Sequence, residues 1–358
     1  MVSAVIIVII ILLLNPAVQG ILRSIFIDPF QESYPESVTF TLNRTLTLEA
    51  NGGRVYNYTI DMSIPGAIWE NDSPLQEVIE VSSQPASSTE ERYGSEWMVW
   101  EGDGPVAMET RSVTITYRLK VSTFIWNLDS SQSGLIGDIP IELKEIYPGD
   151  EWVIVVESPP IQERADSIVG DQENAMDALR SIYDWITENI DYATTTVIPQ
   201  TSLETLSSGH GDCDDQAVLF CALARAAGIP AWLQIGVLYD SHLQAWGGHG
   251  WVQTYIPTEG GGMNVTIDTV NGDFLAWRPN RFADFTDDGV ASHLEDYYYS
   301  FHCSYDPASY PEGEVPLFDQ EFDAIEYQES DERVRPGDFC ITLVPAAQIA
   351  RYRPGSGS

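Results

Sequence analysis

The stretch Gly209–Ala231, "GHGDCDDQAVLFCALARAAGIPA", decides how this chain is read. Asp212, or a residue just before it, is placed to cap a helix predicted to run from about residue 213 to Ala227. Gly228 ends that helix and Pro230 forbids its continuation. A cysteine, one of only four in the chain, therefore stands at a helix N-terminus. Asp212, Asp214, Asp215 and Gln216 crowd around it. Unpaired backbone N–H groups and the positive end of the helix dipole favour a thiolate there. The aspartates oppose it, so a nucleophilic Cys213 needs a basic partner. An isolated cysteine on a helix reads better as a buried thiol, and Cys221, near the same helix face, is read that way.

Partners for Cys213 lie downstream. "WLQIGVLY" (232–239) reads as a strand, followed by "GGHGWVQTYIP" (247–257), a turn in "TEGGGMN" (258–264), and a further strand in "VTIDTVNGDF" (265–274). Period-two alternation puts His249, Trp251, Gln253 and Tyr255 on one face, and Thr266 and Asp268 on one face of the next strand. A hairpin centred between Thr258 and Glu259 sets His249 directly opposite Asp268. Centring it on Gly260 staggers them by about three residues, roughly 10 Å at strand rise. In a thiol triad Cys213 attacks a carbonyl carbon, His249 takes its proton and later protonates the leaving group, and Asp268 fixes the imidazole tautomer. Metal binding is the rival chemistry, since His210, Asp212 and Cys213 are close and His242 and His249 follow. No CxxC, HxxxH or HExxH spacing supports it.

"GDCDDQAVLFCALARAAGIPA", "HGWVQTYIP" and "TIDTVN" resemble, in order, the Cys, His and Asp motifs of the transglutaminase-like superfamily. "LRSIYDWITENIDY" (179–192) is similar to the helix that introduces that core, so the resemblance covers about residues 170–285. It implies an α+β, papain-like core in which a helix carrying Cys213 packs on an antiparallel sheet carrying His249 and Asp268. By position it makes Cys213 the nucleophile, His249 the base and Asp268 the orienting acid. It implies no cofactor and a peptide or protein substrate. Members include crosslinking acyltransferases, cysteine proteases, peptide amidases and inactive forms, and exported archaeal and bacterial members often join the core to a β-rich domain. Two positions depart from the pattern: Trp232 stands where Arg is frequent, and Asn264 where Trp is common. Both bear on substrate choice. The Cys213 N–H is the first candidate oxyanion donor, with the Gln200 and Trp246 side chains as further candidates.

Composition limits the partners. The 358-residue chain has a net charge of -37 and only two lysines, Lys120 and Lys144. Such a surface repels nucleic-acid phosphates and anionic lipid, and suits a saline or cell-surface setting. Val2–Leu14 is almost purely apolar, short of the roughly 20 residues that span a bilayer, but extension to Leu22 makes it long enough. Residues 1–22 are therefore expected to be a signal peptide or membrane anchor, placing the protein at the extracytoplasmic face, secreted or membrane-anchored. Sequons at Asn43, Asn57, Asn71 and Asn264 agree with export, and Cys303 and Cys340 are available for a disulfide.

Alternating apolar residues at Val38–Leu48, Tyr56–Ile64 and Val113–Val121 predict a β-sandwich-like domain over residues 25–158. "ESPPIQERADS" (157–167) reads as a linker. A helix follows through "NAMDALRSIYDWITENI" (174–190). The core is expected over 165–285, with 286–358 an extension packed on it. Within that extension, "EDYYYSFHC" (295–303) reads as a core strand, or as a set of tyrosines lining a site. Oligomeric state is not readable. Two functions stand: an exported thiol acyl-transfer enzyme acting on amide bonds, by hydrolysis or crosslinking, and an inactive surface module with the same fold.

Overall fold

A computed structural model describes residues 33–70, 72–194, 198–240 and 244–335. The N-terminal segment 1–22, the Asn71 sequon, His242 and Cys340 lie outside the described residues, and with Cys340 the proposed disulfide.

The architecture is the expected α+β arrangement. One sandwich sheet runs Leu317–Glu329, Ser37–Glu49, Thr110–Ser122, Ser73–Gln84, Ile68–Glu70; the other runs Phe301–Tyr305, Val55–Ser63, Ser95–Asp103, Ser88–Arg92. Strand Ser37–Glu49 buries every second residue, because Val38, Phe40, Leu42, Leu46 and Leu48 all point inward. Arg44 interrupts that apolar series and is buried too, since its guanidinium reaches Asp284 of the core at 2.8 Å. Gln76 adds a two-way bond to the backbone of Ala283, 2.8 Å in each direction. The sandwich thus clamps the core strand Arg281–Thr286.

The core sheet has five strands in the order Asp273–Phe274, Gly261–Asp268, Ala245–Thr258, Ala231–Asp240, Arg281–Thr286. Against it packs the helix Cys213–Ala226. Its residues 215–225 are all buried, so it is a central helix enclosed on every side, with Gly228 at φ +81 just beyond its end. Burying each large apolar side chain of this kind contributes roughly 1.5–3 kcal/mol.

Two segments differ from the sequence reading. The expected linker is the helix Pro159–Val169, which buries Ile161, Ala165 and Val169. Its prolines stand in the first turn, where a missing N–H costs nothing, so they open a helix and do not mark a linker. Residues beyond 286 are more than an extension packed on the core. Ala291–Tyr298 is a helix, while Phe301–Tyr305 and Leu317–Glu329 supply edge strands to the two sandwich sheets. Strand partners so distant in the chain leave no local trace in the sequence.

Candidate active site

The acidic crowd around Cys213 resolves into separate tasks. Asp212 is the N-cap and accepts the Asp215 N–H, while Asp215 reaches back to the Asp212 N–H at 3.1 Å, a reciprocal capping box. Asp215 also accepts the backbone N–H and side-chain amide of Gln200, at 2.6 and 2.9 Å. That amide is therefore engaged with Asp215, not aimed as a spare oxyanion donor. Asp214 has neither task. Its Oδ1 lies 3.4 Å from the Cys213 sulfur, and its Oδ2 accepts the Tyr298 hydroxyl at 2.8 Å.

The His249 strand pairs with Gly261–Asp268 in a register that sets Val252 opposite Ile267 and Thr258 opposite Gly261. Extending it places Asp268 opposite Trp251, between the two hairpin centrings considered above. His249 and Trp251 share a face, so the histidine and aspartate are diagonal neighbours. Their side chains close the gap: Nε2 of His249 lies 2.7 Å from Oδ2 of Asp268. With Nε2 committed there, Nδ1 is the ring nitrogen left for the thiol. The residue after the histidine faces the sulfur directly, for Cys213 Sγ accepts the Gly250 backbone N–H. A Cβ at Gly250 would stand 2.3 Å from Asp214 Oδ1, so a side chain there would push that carboxylate from its place. Trp246 faces the other way, its ring 4.7 Å from that of Phe40, and so is not placed as an oxyanion donor.

Further residues not singled out from the sequence complete the set. Asn271 bridges His249 and Asp268, its amide nitrogen 3.0 Å from Nε2 and 2.8 Å from Oδ2, and its backbone N–H bonds Asp268 Oδ1 at 3.0 Å. Arg281, fully buried, joins Asp268 at 2.7 Å to Asp273 at 2.8 Å, and Arg278 holds Asp273 from the other side at 2.5 Å. Burial alone would raise the Asp268 carboxyl, but His249, Arg281 and Asn271 hold it well below the ordinary aspartate range. It stays charged to orient the imidazole. Asn271 follows Asp268 in "TIDTVN", and its turn chemistry is the only local signal for any of these.

The half-buried thiol is pushed the other way. Desolvation first, then the Asp214 and Asp212 charges, lift it well above the usual range, while the Gly250 N–H partly opposes them. Asp214 itself is raised by burial, against the Tyr298 bond and His249. Tyr298 belongs to the "EDYYYSFHC" segment, so that tyrosine does reach the site. His210 lies exposed in a short strand beside Asp191–Tyr192, and His293 stacks on Tyr93 at 3.9 Å.

Residues 162–265 match the model of the transglutaminase-like superfamily core, so the chain contains a transglutaminase-like domain, with Asp268 just past the matched segment. Among solved structures, a candidate cysteine protease from Cytophaga hutchinsonii is similar, with a TM-score of 0.58 at 16% identity, over 86% of this chain and 94% of that one. At that identity the likeness is one of fold. A candidate protease from Parabacteroides distasonis gives a TM-score of 0.29 at 14% identity, over 69% of this chain and 48% of its own, too low to define a common fold. No curated protein sequence matches the chain significantly.

Proposed function

We propose that this protein is a thiol acyl-transfer enzyme acting on peptide or protein amide bonds, with Cys213 as nucleophile, His249 as base and Asp268 as its orienting acid. The observation that carries this reading is the buried His249–Asp268 bond of 2.7 Å on the strand whose next residue, Gly250, donates its N–H to the Cys213 sulfur. Sγ attacks the carbonyl carbon as its proton passes to His249 Nδ1. The tetrahedral oxyanion collapses, and the amine leaves with that proton, leaving a thioester on Cys213. Water or a second amine then attacks the thioester, gives its proton to His249, and releases an acid or a new amide as the thiol is restored. The apolar N-terminus and acidic surface support an exported or membrane-anchored enzyme.

The test is incubation of the protein with a casein-like substrate, with and without a labelled primary amine, beside Cys213→Ala. New peptide termini identify hydrolysis, and amine incorporation identifies transfer. Neither product over a wide salt range returns the inactive surface module. Iodoacetamide should label Cys213 much faster than Cys221, and His249→Ala should slow it; equal slow labelling of both sinks the nucleophile.

A further inference from the structure

We propose that Asp214, fixed by Tyr298, is a positioning residue that latches the Cys213 thiol in its protonated resting form, so that losing this contact arms the site. The inference deepens the reading of Cys213 as nucleophile and rests on it.

Asp214 is the one aspartate of the helix start whose carboxylate is spent on neither the cap nor Gln200. Its two oxygens divide between the site's sulfur and a tyrosine: Oδ1 takes the Cys213 S–H at 3.4 Å, and Oδ2 takes the Tyr298 O–H at 2.8 Å. The proton that His249 must collect is thus held by a different acceptor. Tyr298 ends the helix Ala291–Tyr298, beyond which the chain enters the sandwich strand Phe301–Tyr305. Its ring packs on Trp152 with centroids 5.2 Å apart and stands edge-on to Tyr297 at 5.7 Å. From the opposite side, Gly250 leaves the space that Asp214 Oδ1 fills, since any Cβ there would displace it. The carboxylate is held in place from the C-terminal segment and from the histidine strand together.

The charged and titratable groups facing this pair are Asp212 and Asp215 on the same helix, Tyr192 from the neighbouring short strand, His249 from the sheet, and Tyr297 and Tyr298. Of these only His249 brings a positive charge when protonated. Removing the Asp214 charge therefore leaves the thiolate with less opposition and the imidazole with no competitor for the proton.

The experiment follows alkylation by iodoacetamide, a neutral reagent, against pH, resolved to the Cys213 peptide by mass spectrometry so that Cys221, Cys303 and Cys340 do not contribute. In Asp214→Asn, which keeps the shape, labelling at neutral pH should rise about tenfold and its midpoint should fall by about one pH unit, the shift that matches that factor. Tyr298→Phe should move both in the same direction by a smaller factor. Near-ultraviolet circular dichroism confirms that each variant is folded. An unchanged or slower rate with an unmoved midpoint in folded Asp214→Asn overturns the latch, because a merely structural Asp214 would not set the pH profile. The nucleophile reading is separated by His249→Ala: if this leaves Cys213 labelling unaltered while Asp214→Asn still shifts the midpoint, that reading fails, and with it the arming of a catalytic site, while the hold of Asp214 on the thiol proton stands.

Discussion

Two buried arginines each sit between two carboxylates, at different places around the same helix, yet Asp268 at one and Glu151 at the other are pushed in opposite directions. At the histidine end, Arg281 joins Asp268 and Asp273, with Arg278 as a second cation on Asp273. Toward the helix C-terminus, Arg225 joins Glu151 at 2.9 Å and Asp287 at 3.3 Å, beneath the Tyr147 ring. Among the described residues no second cation is paired with either acid there. Asp268 is held well below its ordinary range, whereas burial and the Asp287 charge push Glu151 up to about 8. Arginines alone do not decide this, because burial still raises Asp273 although Arg278 and Arg281 both face it. Against the same cost of burial, Asp268 has His249 first, then Arg281 and the Asn271 N–H. A buried carboxylate is held charged when an imidazole, a guanidinium and a backbone N–H converge on it together; guanidiniums by themselves do not offset its burial here.

The largest effects should come from breaking each cluster at its arginine. Arg281→Met removes the cation shared by Asp268 and Asp273, leaving Asp273 to Arg278 and Asp268 to His249 and Asn271, and is expected to cost about 3 kcal/mol in urea unfolding. It should also lower the His249-dependent labelling of Cys213 severalfold, because Asp268 loses the buried guanidinium that acts beside His249 to hold it ionised. Arg225→Met should cost a similar amount of stability, yet leave Cys213 labelling in the folded fraction unchanged. Equal loss of thiol reactivity in both would show that the clusters do not differ in role.

A finer break is Asn271→Ala. It removes bonds to His249 and Asp268 and leaves Arg281 in place. Stability should fall by about 1 kcal/mol, and turnover on whichever substrate the amine assay reveals should drop by about tenfold or more. KM should change little if the residue only positions the imidazole.

The smallest effect is in pH dependence. Between the ordinary glutamate value and about 8, folded Glu151 keeps a proton that the unfolded chain has released. Stability therefore falls as pH rises through that window, and Glu151→Gln should flatten the slope. Asp268 has the opposite sign. Its depressed value means that its contribution is fully present at neutral pH and persists into acid below the ordinary aspartate range before it is lost. Thermal midpoints measured from about pH 2 to 9 in the wild-type chain and in Glu151→Gln would separate the two slopes. A flat wild-type profile above neutrality would contradict the protonated Glu151.

Local sequence carried the helix that presents Cys213, its Asp212 cap, its stop at Gly228 and the face shared by His249 and Trp251. Each depends on residues within a few positions of one another: side-chain oxygens on near N–H groups, and the strict alternation of a strand. The hairpin register needed the turn geometry, which sequence left open between two centrings. Arg281 and Asp273 gave no local signal, because a charged residue in a strand reads the same whether it meets water or a buried partner, and the tyrosine run at 295–303 left both a core strand and a site lining open. The prolines that open the Pro159–Val169 helix misled for a related reason, since a first-turn proline and a linker proline are the same residue in different places.

The sequence by itself therefore determined the chemistry on offer: a capped cysteine, a histidine and an aspartate in order on elements that can carry them. Only the tertiary structure decided how those groups are charged. The cations that hold Asp268 ionised, and the Tyr298 hydroxyl that fixes Asp214 against the thiol, arrive from elements joined by packing and strand pairing across the chain. Charge in a buried site is set by what surrounds it in space, and chain order does not record that.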